Sequence, residues 1–309
     1  MGEHSREVST RRRWRPKALI PFTLTLLLSG CADNGLPSYY ELGDLRVLGI
    51  LAENALSQPI SEVDPSSGPT VTLTPIISAL EAGTALGNAA SDLTLTLTWQ
   101  SCVDPGISFG ASPSCEGVPG ASNATTVSGT LPSQSGSYTG ILSVNGTHSV
   151  TIPTTFLDLA TSREKQNGVN LLVTLQVSAS GTGEIVKSFR RITVTTRSTL
   201  NSIPTLSGIR VEGSGSNLTS LPAAESELVP VYTGSAETYS LTSSSGVTTS
   251  LTENLTTTWF LSRGELESNR TDTTLSNTYT PATTGTTPQF LVALLRDTRG
   301  GLSWQKVGP

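Results

Sequence analysis

The segment Asp92-Leu-Thr-Leu-Thr-Leu-Thr-Trp99 carries the clearest pattern in this chain of 309 residues. Apolar side chains and threonines alternate along it with a period of two, which is the period of a β-strand. Leu93, Leu95, Leu97 and Trp99 therefore share one face of the predicted strand, and the threonines share the other. We expect the Leu/Trp face to be buried and the threonine face to contact solvent.

Other strand-like runs flank this segment. Those in the first half are Leu45–Leu51, Thr70–Ile77, Tyr138–Val144, His148–Ile152, Leu171–Ser178 and Ile185–Val194. The apolar spacing from Thr155 to Glu164 suits one or two helical turns. The rest of the sequence lacks sustained helical periodicity, so the pattern predicts an all-β fold.

The strand pattern repeats after Asn201-Ser-Ile-Pro-Thr205. The strand-like runs of the second half are Leu206–Glu212, Asn254–Leu261, Phe290–Leu295 and Leu302–Val307. Trp259 lies near the end of one of these runs, as Trp99 does in the first half. Short, regularly spaced strands with a tryptophan in each half predict two tandem immunoglobulin-like β-sandwich domains, an analogy of architecture that assigns no function.

A basic segment and a short apolar run precede the first cysteine. The run Ala18–Leu28 has the length of a secretory h-region and is far shorter than the roughly 20 residues of a membrane-spanning helix. Small residues follow it and lead directly into Cys31. The basic residues before it are Arg6, Arg11, Arg12, Arg13, Arg15 and Lys17. This order predicts an export signal.

The stretch Leu28-Ser29-Gly30-Cys31 resembles the lipobox of bacterial lipoproteins. The resemblance implies that signal peptidase II recognises Leu28, Ser29 and Gly30 and cuts before Cys31. Cys31 would then carry a diacylglycerol and an acylated amino group, and two or more acyl chains hold a protein firmly on a membrane. Ala32 favours the outer membrane by the best-studied Gram-negative sorting rule. The alternative is an ordinary secretory peptide with an incidental cysteine.

Together these patterns divide the chain into five parts. They are a lipoprotein signal peptide at residues 1–30, the lipidated cysteine and a tether at 31–43, a first β-sandwich with long loops at 44–198, a linker at 199–205, and a second β-sandwich at 206–309.

Several further segments resemble uncharacterised surface lipoproteins of Gram-negative bacteria. They are Leu45–Glu53, Val71–Thr74, Trp259–Glu267, Arg270–Thr271, Asn277–Tyr279, Leu295–Gly301 and Trp304. These motifs consist of turns and core positions. The resemblance therefore implies a fold and a location in the cell envelope, and it implies no activity.

The charge of the chain limits its partners. The full sequence has 19 Lys and Arg residues and 24 Asp and Glu residues. Removal of residues 1–30 would leave 13 basic and 22 acidic residues, a net charge of −9. A surface without a basic patch argues against nucleic acid as a partner. We expect the lipid alone to hold the protein on the membrane.

Cysteine and histidine are scarce. Beyond the predicted cleavage site, Cys102, Cys115 and His148 are the only such residues apart from Cys31. Two cysteines in an exported chain predict one disulfide, although two unpaired thiols are the alternative. The loop closed by this disulfide is rich in Gly and Pro, and its closure would contribute about 3 kcal/mol.

The sequence contains few residues in patterns that form catalytic or metal-binding sites. A Ser-His-Asp triad would have to use His148, which we expect to be an exposed strand residue. A zinc site lacks ligands, and we predict no cofactor. The Asp297–Gly301 segment is predicted to be a hairpin turn. We expect Glu62 and Asp64 to be solvated loop acids rather than calcium ligands.

We therefore predict a non-enzymatic lipoprotein of the cell envelope. Its long loops, especially Gly110–Gly136 and Ser243–Ser250, would project from rigid sandwiches. Because binding residues often lie on such loops, the leading hypothesis is a surface binding or adhesion module for a protein or a glycan. The alternative is a structural or accessory subunit of an envelope complex.

Overall fold

The computed structural model describes residues 40–79, 92–106, 112–131, 133–134, 137–141, 146–181, 183–283 and 289–308. The strands of the first half are β1 (Arg46–Glu53), β2 (Glu62–Val63), β3 (Thr70–Ser78), β4 (Leu93–Val103), β5 (Thr125–Leu131), β6 (Ser133–Gln134), β7 (Ser137–Ile141), β8 (His148–Thr151), β9 (Val169–Ala179) and β10 (Ile185–Val194). The strands of the second half are β11 (Thr205–Val211), β12 (Ser226–Thr233), β13 (Thr238–Thr242), β14 (Thr248–Thr252), β15 (Thr256–Leu261), β16 (Glu265–Leu266), β17 (Arg270–Asp272), β18 (Asn277–Thr280), β19 (Leu291–Arg296) and β20 (Leu302–Val307).

Within the described residues, two sheets of four or five strands form in each half of the chain. Sheet 1 has the order β1-β3-β7-β6, with β8 also paired to β3, and sheet 2 has the order β2-β10-β9-β4-β5. Sheet 3 has the order β11-β12-β18-β16, and sheet 4 has the order β17-β15-β19-β20. The strands β13 and β14 form a separate hairpin. The predicted all-β, sandwich-like fold is confirmed.

The inner faces of sheets 1 and 2 enclose the core of the first sandwich. Leu95, Leu97 and Trp99 of β4 are fully buried in it, while the alternate threonines point outward. The burial of Trp99, predicted from the alternation in this strand, is confirmed, and Trp259 of β15 is fully buried as well. Trp259 fills the core between sheets 3 and 4, where its Nε1 donates to Thr271 Oγ1 at 2.9 Å.

A third apolar cluster joins the two sandwiches. It combines Leu48 of β1 and Ile76 of β3 with side chains of sheet 4 and its loops, which include Phe260, Phe290, Val292, Leu294 and Leu302. Leu42 belongs to the same cluster, and its N–H donates to Leu261 O at 2.9 Å. The last residues of the predicted tether therefore pack against the second sandwich.

The helical segment starts later than the sequence pattern suggested. The predicted region was Thr155–Glu164, whereas helix α1 covers Ser162–Asn167. The reason is a capping box, in which Glu164 N–H donates to Thr161 Oγ1 at 3.3 Å and Thr161 N–H donates to Glu164 Oε2 at 2.8 Å. No helix in the described parts of the chain is long and apolar enough to cross a bilayer.

Candidate functional site

The predicted disulfide closes a loop at the end of β4. Cys102 and Cys115 are bonded, with their Cα atoms 5.6 Å apart. The two-residue period of β4 buries Trp99 on the inner face and so places Cys102 on the outer face. The loop must therefore turn back over the outer face of sheet 2.

This loop covers one end of that outer face. Leu172 lies opposite Cys102 in the β4–β9 register and is fully buried, although it points away from the core of the sandwich. It packs against both half-cystines and against Val118 and Ala121, which follow Cys115 in the chain. The disulfide and the segment after it thus shield the one apolar side chain that would otherwise interrupt the polar outer face of β9.

A groove of about 500 Å³ lies beside this covered end. Its floor is formed by two rows of side chains across three strands, Gln100–Thr174–Phe189 and Thr98–Gln176–Lys187. The wall is formed by Ser112, Pro113 and Ser114 of the disulfide loop and by Glu116, which follows Cys115. The threonine-rich face predicted from β4 is therefore the floor of a cleft.

Some polar side chains of the groove make hydrogen bonds to other residues of the chain. Gln100 Nε2 donates to Ser122 O at 3.2 Å, and Thr98 Oγ1 lies 3.2 Å from Thr126 Oγ1. In contrast, the side chains of Gln176, Lys187 and Glu116 make no hydrogen bond or ion pair within the described parts of the chain. An amide, an ammonium and a carboxylate are thus available to a ligand.

Phe189 supplies an aromatic surface at the edge of the groove. Its side chain is 43% exposed. The Arg191 guanidinium lies 5.0 Å from the ring centroid, and Arg191 Nε donates to Asp104 Oδ2 at 2.6 Å. Because the salt bridge holds the guanidinium against the ring, the ring is supported while part of its surface faces solvent.

A second polar cluster lies between the two sandwiches. Glu62 is 3% exposed and accepts from Arg299 Nε at 3.1 Å, and its Oε1 lies 3.3 Å from Arg197 Nη2. Arg299 Nη1 also contacts Glu237 Oε2 at 3.3 Å. Burial raises the pKa of the nearby Glu253 carboxyl above its ordinary value. The expectation that Glu62 is solvated was wrong, because the second sandwich covers it.

The cluster extends into the Asp297 turn. The predicted hairpin turn is confirmed, since Gly301 N–H donates to Asp297 Oδ1 at 2.6 Å. Asn201 Nδ2 donates to Asp297 Oδ2 at 2.9 Å and to Ser61 Oγ at 2.8 Å. These ion pairs and hydrogen bonds connect the first sandwich, the linker and the second sandwich to one another. We therefore assign the cluster a structural role. No set of His, Cys, Asp or Glu residues in the described ranges is arranged to hold a metal ion.

The remaining predicted residues are those of the lipobox-like stretch and His148. Leu28, Ser29, Gly30 and Cys31 lie outside the described residues. His148 is half-buried and not exposed as expected, because its ring stacks on Trp99 with centroids 5.5 Å apart. Desolvation lowers the pKa of this histidine.

Sequence reasoning missed the residues that make the groove. The sequence predicts Ile185–Val194 as a strand, but the strand pattern alone does not single out a binding face on it. Lys187 and Phe189 share one face by that alternation, and an aromatic side chain on a polar face was the available signal. Their position beside the disulfide loop depends on strand order, which one sequence does not give.

The chain matches no known protein family and no curated protein. Among solved structures it is similar to dimeric latent PorU from Porphyromonas gingivalis, with 9% sequence identity and a TM-score of 0.24. The match covers 87% of this chain and 24% of that chain. A likeness at this level supports no argument about function.

Proposed function

We propose that this chain is a non-enzymatic, lipid-anchored protein of the cell envelope that serves as a surface binding or adhesion module for a protein or a glycan. The observation that carries the proposal is the groove beside the Cys102–Cys115 loop. Its volume of about 500 Å³ falls within the range of ligand pockets in proteins.

The groups around the groove suit recognition. Gln176 can donate and accept, Lys187 donates, and Glu116 accepts, so together they can bind a polar ligand from three directions. Phe189 adds a surface for an apolar group or for the C–H face of a sugar ring. The disulfide fixes the position of the wall relative to the floor, which lowers the cost of ordering the site on binding.

We further propose that the two halves are immunoglobulin-like domains, at residues 44–198 and 206–309, and that a lipid anchors the chain. Cys31 would carry the lipid after recognition of Leu28, Ser29 and Gly30 by the signal peptidase. The protein would then reside in the outer membrane of a Gram-negative bacterium.

The binding proposal is tested with the full chain expressed in a Gram-negative host. Purified protein is applied to a printed array of glycans and envelope proteins. Gln176→Ala and Phe189→Ala alter the groove, whereas Thr96→Ala alters the same outer face beyond it. We expect ligands that bind wild type and Thr96→Ala but bind both groove variants at least tenfold more weakly. A membrane partner that co-purifies equally with all four proteins would favour the accessory-subunit alternative.

The anchor is tested by intact mass and by protease accessibility on whole cells, alongside Cys31→Ala. We expect an acylated species that begins at Cys31, and loss of both acylation and membrane association in the variant. A wild-type protein without lipid would contradict the lipoprotein proposal and leave the groove proposal standing.

A further inference from the structure

The strand β10 has an open edge next to the groove. It pairs with β9 along its whole length but pairs with β2 only at Thr193 and Val194. Thr193 N–H donates to Ser61 O at 2.9 Å, so it points away from β9. Backbone groups alternate with a period of two in an antiparallel strand.

The same side of β10 is unpaired before Thr193. By the two-residue period, the N–H and C=O groups that face this side belong to Ile185, Lys187, Phe189 and Arg191. None of these backbone groups bonds to another residue within the described parts of the chain. Four consecutive donor–acceptor pairs therefore form a template for one more strand.

The side chains along this edge define what a partner strand would carry. The four residues point to the outer face, and Ile185 is 60% exposed. The row reads apolar, cationic, apolar, cationic, and Lys187 has no ion pair within the described residues, whereas Arg191 is paired with Asp104. A strand with an acidic side chain opposite Lys187 and apolar side chains opposite Ile185 and Phe189 would match it.

We propose that the ligand is an extended segment of a partner protein that adds to sheet 2 as a strand beside β10 and reaches the Lys187 and Phe189 rim of the groove with its side chains. Its alternate side chains follow the order apolar, acidic, apolar, a pattern that fits in either strand direction. Main-chain hydrogen bonds to the β10 edge provide affinity, and contacts with Phe189 and the groove rim provide specificity. This inference rests on the proposed binding function and narrows its ligand from protein or glycan to an extended peptide.

The probe is a synthetic peptide with capped ends. Valine, glutamate and valine occupy alternate positions along it, and threonines occupy the positions between them. Its binding to the full chain is followed by fluorescence anisotropy. Lys187→Pro removes an N–H that faces the open edge and leaves the β9 ladder intact, because residue 187 does not use its N–H toward β9. Lys187→Gln keeps this N–H and removes only the charge.

We expect Lys187→Pro to weaken peptide binding about tenfold or more and Lys187→Gln to weaken it several-fold. Thr96→Ala should bind as wild type does. Two further probes are N-methylated either at the valines and the glutamate or at the threonines, whose N–H groups would face β10 in an antiparallel or a parallel pair, respectively. One of these two probes should not bind, and this result does not depend on the folding of a variant. Equal binding by Lys187→Pro and wild type, or by all three peptides, would overturn strand addition.

The two proposals fail in different ways. If the array yields a groove-dependent glycan while the peptide does not bind, strand addition is wrong and the binding function stands. If neither the peptide nor any array ligand depends on groove residues, both proposals are wrong.

Discussion

The Arg299 guanidinium of the second sandwich donates to the Glu62 carboxylate of the first, with Nε 3.1 Å from Oε1. The Arg299 side chain is 6% exposed and that of Glu62 is 2% exposed. An ion pair with so little solvent access is costly to break, because the remaining charge stays buried without its counterion. The contact between the sandwiches therefore contains paired charges as well as the apolar cluster.

Glu62→Gln should lower the free energy of unfolding by about 3 kcal/mol, because it leaves Arg197 and Arg299 facing a neutral amide. Urea denaturation of the full chain measures the change. Asp158→Asn, at an exposed acid of the first sandwich, is the matched control and should change stability by less than about 0.5 kcal/mol. A Glu62→Gln effect as small as the control's would show that the cluster does not stabilise the fold.

Glu253 should make stability depend on pH in the opposite sense from a paired carboxylate. Desolvation raises its pKa, despite the hydrogen bond from Glu237 N–H and the attraction of Arg299. A carboxyl with a raised folded pKa lowers stability once it is ionised, and this cost is absent below the unfolded pKa of about 4.3. Glu253→Gln should therefore be more stable than wild type at pH 7, and the difference should vanish as the pH falls toward about 4.

Melting temperatures from pH 4 to pH 7 test this expectation, with the exposed Glu212→Gln as control. A Glu253→Gln protein that is less stable than wild type at pH 7 would mean that the attraction of Arg299 outweighs desolvation.

The disulfide should matter for stability and for binding. Replacing Cys102 and Cys115 with alanine should lower the free energy of unfolding by about 3 kcal/mol and uncover Leu172. Treatment of wild type with a reductant should cause a similar loss. Because the groove wall loses its fixed position, any ligand found on the array should bind the double variant more weakly. Unchanged affinity would show that the disulfide loop is not part of the binding site.

Gly49 lies where the first sandwich packs closely against the second. A Cβ atom at this position would lie 2.9 Å from Leu302 Cδ2 and 3.0 Å from Leu294 Cδ2. Gly49→Ala should therefore destabilise the protein by about 1–3 kcal/mol through overpacking, as measured by urea denaturation. Gly215→Ala meets no atom within 4 Å and serves as the control. Equal stability of the two variants would show that the interface adjusts without cost.

The strands that could be predicted from the sequence are those that contain buried apolar residues. Ile185–Val194 and Leu302–Val307 have the predicted bounds because each begins at an apolar residue and ends at a buried valine. The pattern did not reveal β14, whose residues are all exposed, since a hairpin without a buried face has no apolar alternation.

The candidate site was less predictable than the fold. The disulfide followed from the count of cysteines, but its role as a groove wall depends on β9 lying next to β4. The burial of Glu62 was missed for a similar reason, because Arg299 is 237 residues away along the chain. Contacts of this kind depend on tertiary arrangement, which local periodicity does not encode.

We propose that the outer face of sheet 2 beside the disulfide loop is the binding surface. Hydrogen exchange of the full chain, with and without its strongest array ligand, tests this most directly. We expect new protection confined to β4, β9, β10 and the segment around Glu116. Protection that appears only in the second sandwich would contradict it.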